Sequence, residues 1–358
     1  MSTVLFTGYP GFLGSALLPL VLEKRPDAKA LCVVQDRFIP LARKRLAEQI
    51  AEHPGLEGRV ELVVGDITQA KLGLAEVPDD ITEVFHLAAV YDLAVPAELA
   101  YHVNIEGTRH VLDLCKASPA LKRLQYVSTC YVSGTQPGVY REDDLDTGQA
   151  FLNHYEHTKF EAEKLVRQAI SEGLPATVYR PGIVVGDSTT GDTQKFDGPY
   201  MIARFLMKQP HYTAFPNVTD PDAIKMCLVP RDFVINAIDQ LSTMDVAVGK
   251  TYALSDPQPP SIREIVETFG SLLNKEIVWI RMPLRFTRAM VGLPGVEKLV
   301  GFPEESLAYL SHPTVYDTTN TQTDLAGTGL ECPPFADYAP VMIEFLKLHP
   351  EISSEAMA

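Results

Sequence analysis

Short, continuous apolar runs recur through the first half of the chain, at 3–7, 30–35, 59–64, 83–87, 124–128 and 176–180. Runs of this length predict strands buried on both faces of a parallel sheet. Between them the apolar positions fall at helical spacing, which predicts helices at 12–24, 40–53, 97–117 and 153–172. Pro40 suits a first helical turn. Strand–helix alternation of this kind predicts an α/β fold, a Rossmann-type doubly wound parallel sheet.

After Arg180-Pro181-Gly182 the pattern changes. Gly, Asp and Thr crowd 186–200, and Pro becomes frequent at 210–230, 257–260 and 283–303. A short apolar run at 251–254 reads as a late return to the sheet. The expected organisation is a dinucleotide-binding domain over 1–186 with a return segment near 246–256. A smaller, mostly helical substrate lobe takes 187–245 and 257–350, and 351–358 is a tail. The lobe is expected over the carboxyl edge of the sheet, where open α/β sheets bind ligands.

The 358 residues carry a formal net charge of −15, which argues against a nucleic-acid surface. The five cysteines form no CxxC pair and the nine histidines no HExxH, so no metal site is expected. Met1 leads straight into the first apolar run without a signal-peptide pattern. No apolar run approaches the ~18–20 residues of a membrane span. A cytoplasmic protein, monomeric or homodimeric, is the expectation.

Two motifs carry the chemistry. Gly8-Tyr9-Pro10-Gly11-Phe12-Leu13-Gly14 joins the first strand to the first helix. Gly8 allows a tight turn, Gly11 lets backbone approach a pyrophosphate, and Gly14 lets the helix pack on the strand. The helix N-terminus offers N–H groups to the phosphates. Downstream, Tyr155 and Lys159 are four apart on one helix face. An ammonium beside a phenol lowers its pKa, so that Tyr155 can exchange a proton with a substrate oxygen. Ser128 and Thr129, at the end of the fifth strand, add hydroxyls at the same edge. Asp66 and Ile67 follow the third strand, where they can meet an adenine, although Asp66 is equally a good helix cap. Ala88 and Ala89, after His86, are small enough to let backbone lie against the cofactor. His86 itself reads as a packed residue.

The second strand ends Gln35-Asp36-Arg37. An acidic residue there favours NAD(H); Arg37, with Arg43, Lys44 and Arg45 beyond it, favours the 2′-phosphate of NADP(H). The balance tips to NADP(H), with NAD(H) the alternative. In the lobe, Ile202, Phe205, Leu206, Met207, Phe215, Met226 and Trp279–Met282, with Leu284, Phe286, Met290, Val291 and Leu293, read as core. The mixed apolar and basic segment 279–288 is also a candidate roof for a lipophilic pocket or a membrane-surface contact.

In order and spacing, Thr7–Gly14, Gly65-Asp66, His86–Ala89, Asn104-Ile105-Glu106-Gly107-Thr108, Val127–Thr129, Tyr155…Lys159 and Tyr179–Gly182 resemble the extended short-chain dehydrogenases/reductases. The match covers most of 3–186. Gly11–Gly14, 127–134, Gly198-Pro199-Tyr200 and 228–234 resemble the fatty acyl-CoA reductase and thioester reductase branch, the male-sterility type. The resemblance implies a Rossmann domain and NAD(P). It implies that Thr129 orients the carbonyl, that Tyr155 is the acid/base, and that Lys159 binds the nicotinamide ribose. Asn104 would support the site from its helix, and Pro181, Gly182 and Ile183 would line the nicotinamide end. The chain departs from the branch at Gln35, near which an Arg is usual, and at Arg231, where an apolar residue is usual. An NAD(P)(H)-dependent oxidoreductase moving hydride to or from a carbonyl or alcohol of a lipophilic substrate, an acyl thioester taken to aldehyde being one option, is the first expectation. A sugar-nucleotide epimerase or dehydratase, with Arg204, Arg231, Arg263 or Arg281 gripping a diphosphate, is the second. A hydroxysteroid-type dehydrogenase and a non-catalytic dinucleotide sensor are further alternatives.

Overall fold

The computed structural model describes residues 2–91, 95–282, 312 and 314–353. The apolar runs become β1 (Ser2–Thr7), β2 (Ala28–Val34), β3 (Val60–Val64), β4 (Ile81–His86) and β5 (Arg123–Val127). After the short β6 (Gly138–Tyr140) come β7 (Ala176–Pro181) and β8 (Ile183–Val185). β9 (Tyr212–Asn217), β10 (Leu228–Pro230), β11 (Thr251–Leu254), β12 (Glu276–Arg281) and β13 (Thr314–Tyr316) complete the strands. Seven of these form one parallel sheet in the order β11-β7-β5-β4-β1-β2-β3. The expected Rossmann-type doubly wound sheet is therefore present. The order reverses at β1, between β2 and β4, and such a switch point opens a crevice at the carboxyl ends. β3 is an edge strand, and Val64 is correspondingly exposed rather than buried on both faces.

The helices in the first half are α1 (Phe12–Glu23), α2 (Ile39–Glu52), α3 (Ala97–Ala100), α4 (Gly107–Ala117) and α5 (His154–Ser171). α6 (Pro199–Lys208), α7 (Arg231–Ser242), α8 (Ile262–Leu272), α9 (Thr319–Leu325) and α10 (Phe335–Leu348) follow. The helix expected over 97–117 is continuous but carries a π turn at Tyr101–Glu106 between α3 and α4. Alternate residues of β1 supply the two faces of the core. Val4 and Phe6 pack with α1 and α7, whereas Leu5 packs with Val111 and Leu112 of α4 and Val166 of α5. α7 falls in the stretch expected for the lobe, yet Phe233, Val234 and Ile238 pack into the α1 side of the sheet. Burial, not chain position, makes it part of the Rossmann layers.

The lobe has its own core, in which Ile202 and Leu206 of α6 meet Ile265 and Phe269 of α8 and Tyr338 and Met342 of α10. The two-stranded β9–β12 and β8–β10 pairs lie beside it. Within 279–288, Trp279 packs against Phe215 at 5.4 Å and under Arg263 at 4.8 Å, as lobe packing. From position 283 onward that stretch, like Leu284, Phe286, Met290, Val291 and Leu293, lies outside the described residues. So does the tail beyond Ser353. No described helix is long and apolar enough to cross a membrane.

Candidate active site

The glycine-rich loop is shaped by contacts that leave no room for side chains. Gly8 has φ +91°, a left-handed conformation that favours glycine, and a Cβ there would lie 2.8 Å from the Ala88 amide. A Cβ on Gly11 or Gly14 would come within 2.7 or 2.5 Å of the Gly8 carbonyl oxygen. Gly11 and Gly14 thus close around one carbonyl, with the Gly11 amide donating to it at 2.9 Å. Gly11 is the N-cap of α1 and gives no side-chain cap, and the first turn holds no acidic residue. The uncapped N–H groups and positive dipole end suit a pyrophosphate. Tyr9 is turned away, its phenol donating to Gln49 of α2 at 2.9 Å, so it anchors the loop. Phe12 lies under the Arg231 guanidinium at 5.0 Å, and Leu13 packs on the core.

At the expected adenosine end, Gln35 links two of the expected residues. Its amide donates to Asp66 at 2.9 Å, and its carbonyl accepts from Arg37 at 3.1 Å. Arg37 stacks on Phe38 at 4.6 Å. The other Asp66 oxygen caps the following turn through the Thr68 amide and hydroxyl. Ile67 is buried under Gly107, Asp36 is exposed, and Arg45 sits 4.0 Å from Glu48.

His86 ends β4 and joins two strands to a helix. Nδ1 pairs with the Thr7 hydroxyl at 2.8 Å and Nε2 with Thr108 at 3.1 Å. Thr7 also accepts from the Ala88 amide at 3.3 Å, fixing the turn into half-exposed Ala89. Burial, aided by the nearby Lys159 charge, pushes His86 down to about 3, so it is neutral and structural.

Asn104 lies in the π turn, and π bulges often mark functional positions. Its carboxamide accepts from the Val90 amide at 2.9 Å and donates to the Val90 carbonyl and to Thr158 at 3.1 and 3.0 Å. It therefore fastens the loop after β4 to the helix that carries Tyr155.

α5 starts at Asn153, which caps the Glu156 amide. Tyr155 and Thr129 are joined by a side-chain hydrogen bond. Burial pushes the phenol up to about 12, and the Thr129 bond opposes it. Lys159 is almost fully buried; its ammonium donates to Tyr126 Oη at 3.2 Å and to the Val127 carbonyl at 2.9 Å. Burial lowers it to about 8, with Glu163 pulling the other way. The expected lowering of the Tyr155 pKa is not seen: burial raises it, and the Lys159 ammonium bonds to β5. A phenol that stays protonated is a proton donor. Ser128 is committed elsewhere, donating to Glu163 at 2.6 Å. Beyond β7, Gly182 donates to Leu254 at 3.0 Å and Ile183 to Cys227 at 2.8 Å, and Gly198 packs on the Ile183 side chain. These bonds hold the Pro181–Ile183 turn at the sheet's carboxyl edge.

Sequence reasoning missed Glu163 and Gln35. Glu163 is fully buried and paired with Arg180 at 2.7 Å and Arg167 at 3.0 Å. Arg180 is also buried and donates to the carbonyls of Arg141, Glu142 and Asp144. The signal was an arginine inside an apolar strand, which requires an anion. Among the described residues no cluster of His, Cys, Asp or Glu could hold a metal. A cleft of ≈ 660 Å³ lies between the 97–117 helix and α5, lined by Tyr101, Ile105, Arg109, His154, His157 and Leu165 among others. It shares Thr158 with the site but none of Thr129, Tyr155 and Lys159.

Residues 6–238 match the family described as male sterility protein, an NAD-binding domain. The chain belongs to this family. Glycine betaine reductase ATRR of Emericella nidulans is 29% identical over 289 residues, 75% of this chain but 22% of that protein. The L-2-aminoadipate reductase large subunit of Penicillium chrysogenum is 30% identical over 220 residues, 54% of this chain and 16% of that protein. The chain thus spans about a fifth of the length of these relatives. Among solved structures, the terminal R domain of the myxalamid PKS-NRPS pathway superposes with TM-score 0.81 at 28% identity. That match covers 99% of this chain and 92% of the other. The UDP-glucuronic acid 4-epimerase of Bacillus cereus, in complex with NAD, shares the fold at TM-score 0.66 and 19% identity, over 99% of each chain. Family and fold bear out the extended short-chain dehydrogenase/reductase assignment and its thioester reductase-like branch. The chain carries the NAD-binding domain of this family.

Proposed function

We propose that the protein reduces an acyl thioester to an aldehyde with NADPH. The observation that carries this is the hydrogen-bonded Thr129–Tyr155 pair beside buried Lys159, at the carboxyl edge that also bears the glycine-rich loop. When bound, the nicotinamide supplies the hydride. Thr129 orients the carbonyl oxygen, and Tyr155, still protonated at neutral pH, donates its proton to that oxygen. The Lys159 ammonium stabilises the phenolate left behind. The resulting hemithioacetal loses its thiol as the C–S bond breaks and the carbonyl re-forms. Asn104 keeps the loop after β4 against α5 and so holds the reacting groups in register.

The likeness to glycine betaine reductase, aminoadipate reductase and a terminal R domain supports the carboxyl-level substrate. Arg37, oriented by Gln35 and Phe38 at the end of β2, supports NADPH over NADH.

Against the sugar-nucleotide alternative, three of the four arginines suggested for its grip are engaged elsewhere among the described residues. Arg204 donates to the Ile352 carbonyl, Arg231 is paired with Asp192 at 2.8 Å, and Arg263 is paired with Asp222 and Glu267. The test is NADPH and NADH depletion over acyl-CoAs, carrier-mimicking thioesters, aldehydes, ketosteroids and UDP-sugars, with aldehyde trapping. Thioester-dependent NADPH loss with trapped aldehyde is the expected result. Turnover of UDP-sugars without net NADPH loss would overturn the proposal.

A further inference from the structure

We infer that Glu163 is a positioning residue for the reaction: it is the buried anion that keeps the Lys159 ammonium charged beside Tyr155. This rests on the Tyr155–Lys159 reading above. Lys159 and Glu163 are one turn apart on α5, which places them on one face of the helix. Lys159 is buried against uncharged partners. Tyr126 and the Val127 carbonyl bond it from β5, and neutral His86 approaches from β4. On its own helix Tyr155 is protonated, the buried Glu156 carboxylate accepts from the Leu152 amide at the helix start, and Glu163 is the anion that favours the ammonium.

Glu163 is itself fixed on every side. Arg180 of β7 donates to both its oxygens, at 2.7 and 3.1 Å, Arg167 donates from α5 at 3.0 Å, and Ser128 donates from the end of β5 at 2.6 Å. Ser128 adjoins Thr129, so one carboxylate ties the Thr129 strand end to the Tyr155 helix. Glu142, another buried carboxylate, is taken up by Ala253, Asn320 and Thr321. Removing the Glu163 charge leaves Arg167, Arg180 and Lys159 without the carboxylate that both arginines bind. Like charges in a low-dielectric site disfavour the charged form of the most titratable member. Arginine does not release its proton, so the loss falls on Lys159.

Glu163→Gln keeps the shape and two of the acceptor bonds. The Lys159 ionisation is read directly by NMR of the protein carrying 13C-labelled lysine, the resonance being assigned by its loss in Lys159→Arg. Glu163→Gln is expected to move the Lys159 titration to lower pH by roughly 1 unit, and the alkaline limb of kcat with it. Arg167→Gln, which removes a cation at the rim, is expected to move both to higher pH. Unmoved titrations and limbs in both variants, with only a uniform fall in kcat, would overturn the inference. If Glu163→Gln does not fold, an unmoved Arg167→Gln profile overturns it alone. Tyr155→Phe is assayed in parallel: retained turnover would refute the Tyr155–Lys159 reading itself, whereas an inactive Tyr155→Phe with unmoved profiles refutes only the role of Glu163.

Discussion

Gly14→Ala tests whether the glycine-rich loop is held as tightly as its geometry implies. Two effects oppose each other. Gly14 lies inside α1, where alanine is favoured by about 1 kcal/mol. The added Cβ, however, would sit 2.5 Å from the Gly8 carbonyl oxygen and 3.3 Å from the Tyr9 amide nitrogen. Both are backbone, so neither can rotate aside, and the helix or the loop must yield by roughly 0.5–1 Å. Forced atoms in a packed region cost about 1–3 kcal/mol. The steric cost outweighs the helix gain, leaving a net loss of up to about 2 kcal/mol and a melting temperature lower by up to about 3 °C. The same displacement withdraws the α1 N-terminus from the pyrophosphate, and NADPH binding weakens about tenfold, or about 1.4 kcal/mol. Thermal unfolding and NADPH fluorescence titration read the two effects. Gly55→Ala is the control, since nothing lies within 4 Å of its Cβ and its backbone is ordinary. It is expected to stabilise by about 0.4–1 kcal/mol. A Gly14→Ala protein as stable as the parent, with unchanged NADPH affinity, would refute the close-packing account.

Asn104→Ala removes three hydrogen bonds that hold Val90 to Thr158; kcat is expected to fall at least tenfold with NADPH binding nearly intact. An unchanged kcat, or a loss confined to NADPH binding, would count against the clamp. Arg37→Ala is expected to raise KM for NADPH about tenfold while leaving KM for NADH unchanged, as steady-state kinetics with each cofactor would show. Equal effects on both would remove Arg37 from the 2′-phosphate. His86 is pushed down to about 3 in the fold from an ordinary value of 6.5, so the unfolded chain binds its proton first. Its contribution is present above pH 6.5 and is lost as pH falls from 6.5 towards 3, at about 1.4 kcal/mol per unit. Urea midpoints at pH 7, 6 and 5 for the parent and His86→Gln should converge as the pH falls, and parallel lines would contradict the assignment.

Much of the fold was legible because it rests on local periodicity. The runs at 3–7 and 251–254 match β1 and β11 within a residue, since a strand buried in a parallel sheet must be continuously apolar. The glycine motif was legible for a similar reason: Gly8, Gly11 and Gly14 answer to backbone contacts three to six residues away and to the turn after β4. β6, β8, β9, β10, β12 and β13 were not foreseen. Most are three residues long and pair with strands far along the chain, as Thr314 does with Gly138. α7 was assigned to the wrong layer, because an amphipathic helix does not announce which of two cores will bury it.

The sequence by itself determined the Rossmann-type sheet, and it pointed to the glycine-rich loop and to Thr129, Tyr155 and Lys159 as the proposed reacting set. Each depends on residue type and short spacing. The tertiary structure decided how those groups are tuned. Only folding buries Lys159 on Tyr126 and Val127, raises Tyr155 towards a proton donor, and sets Glu163 against Arg180. Desolvation and charge pairing depend on what surrounds a side chain in space, and residues 128, 163 and 180 meet only once the strands and α5 have assembled.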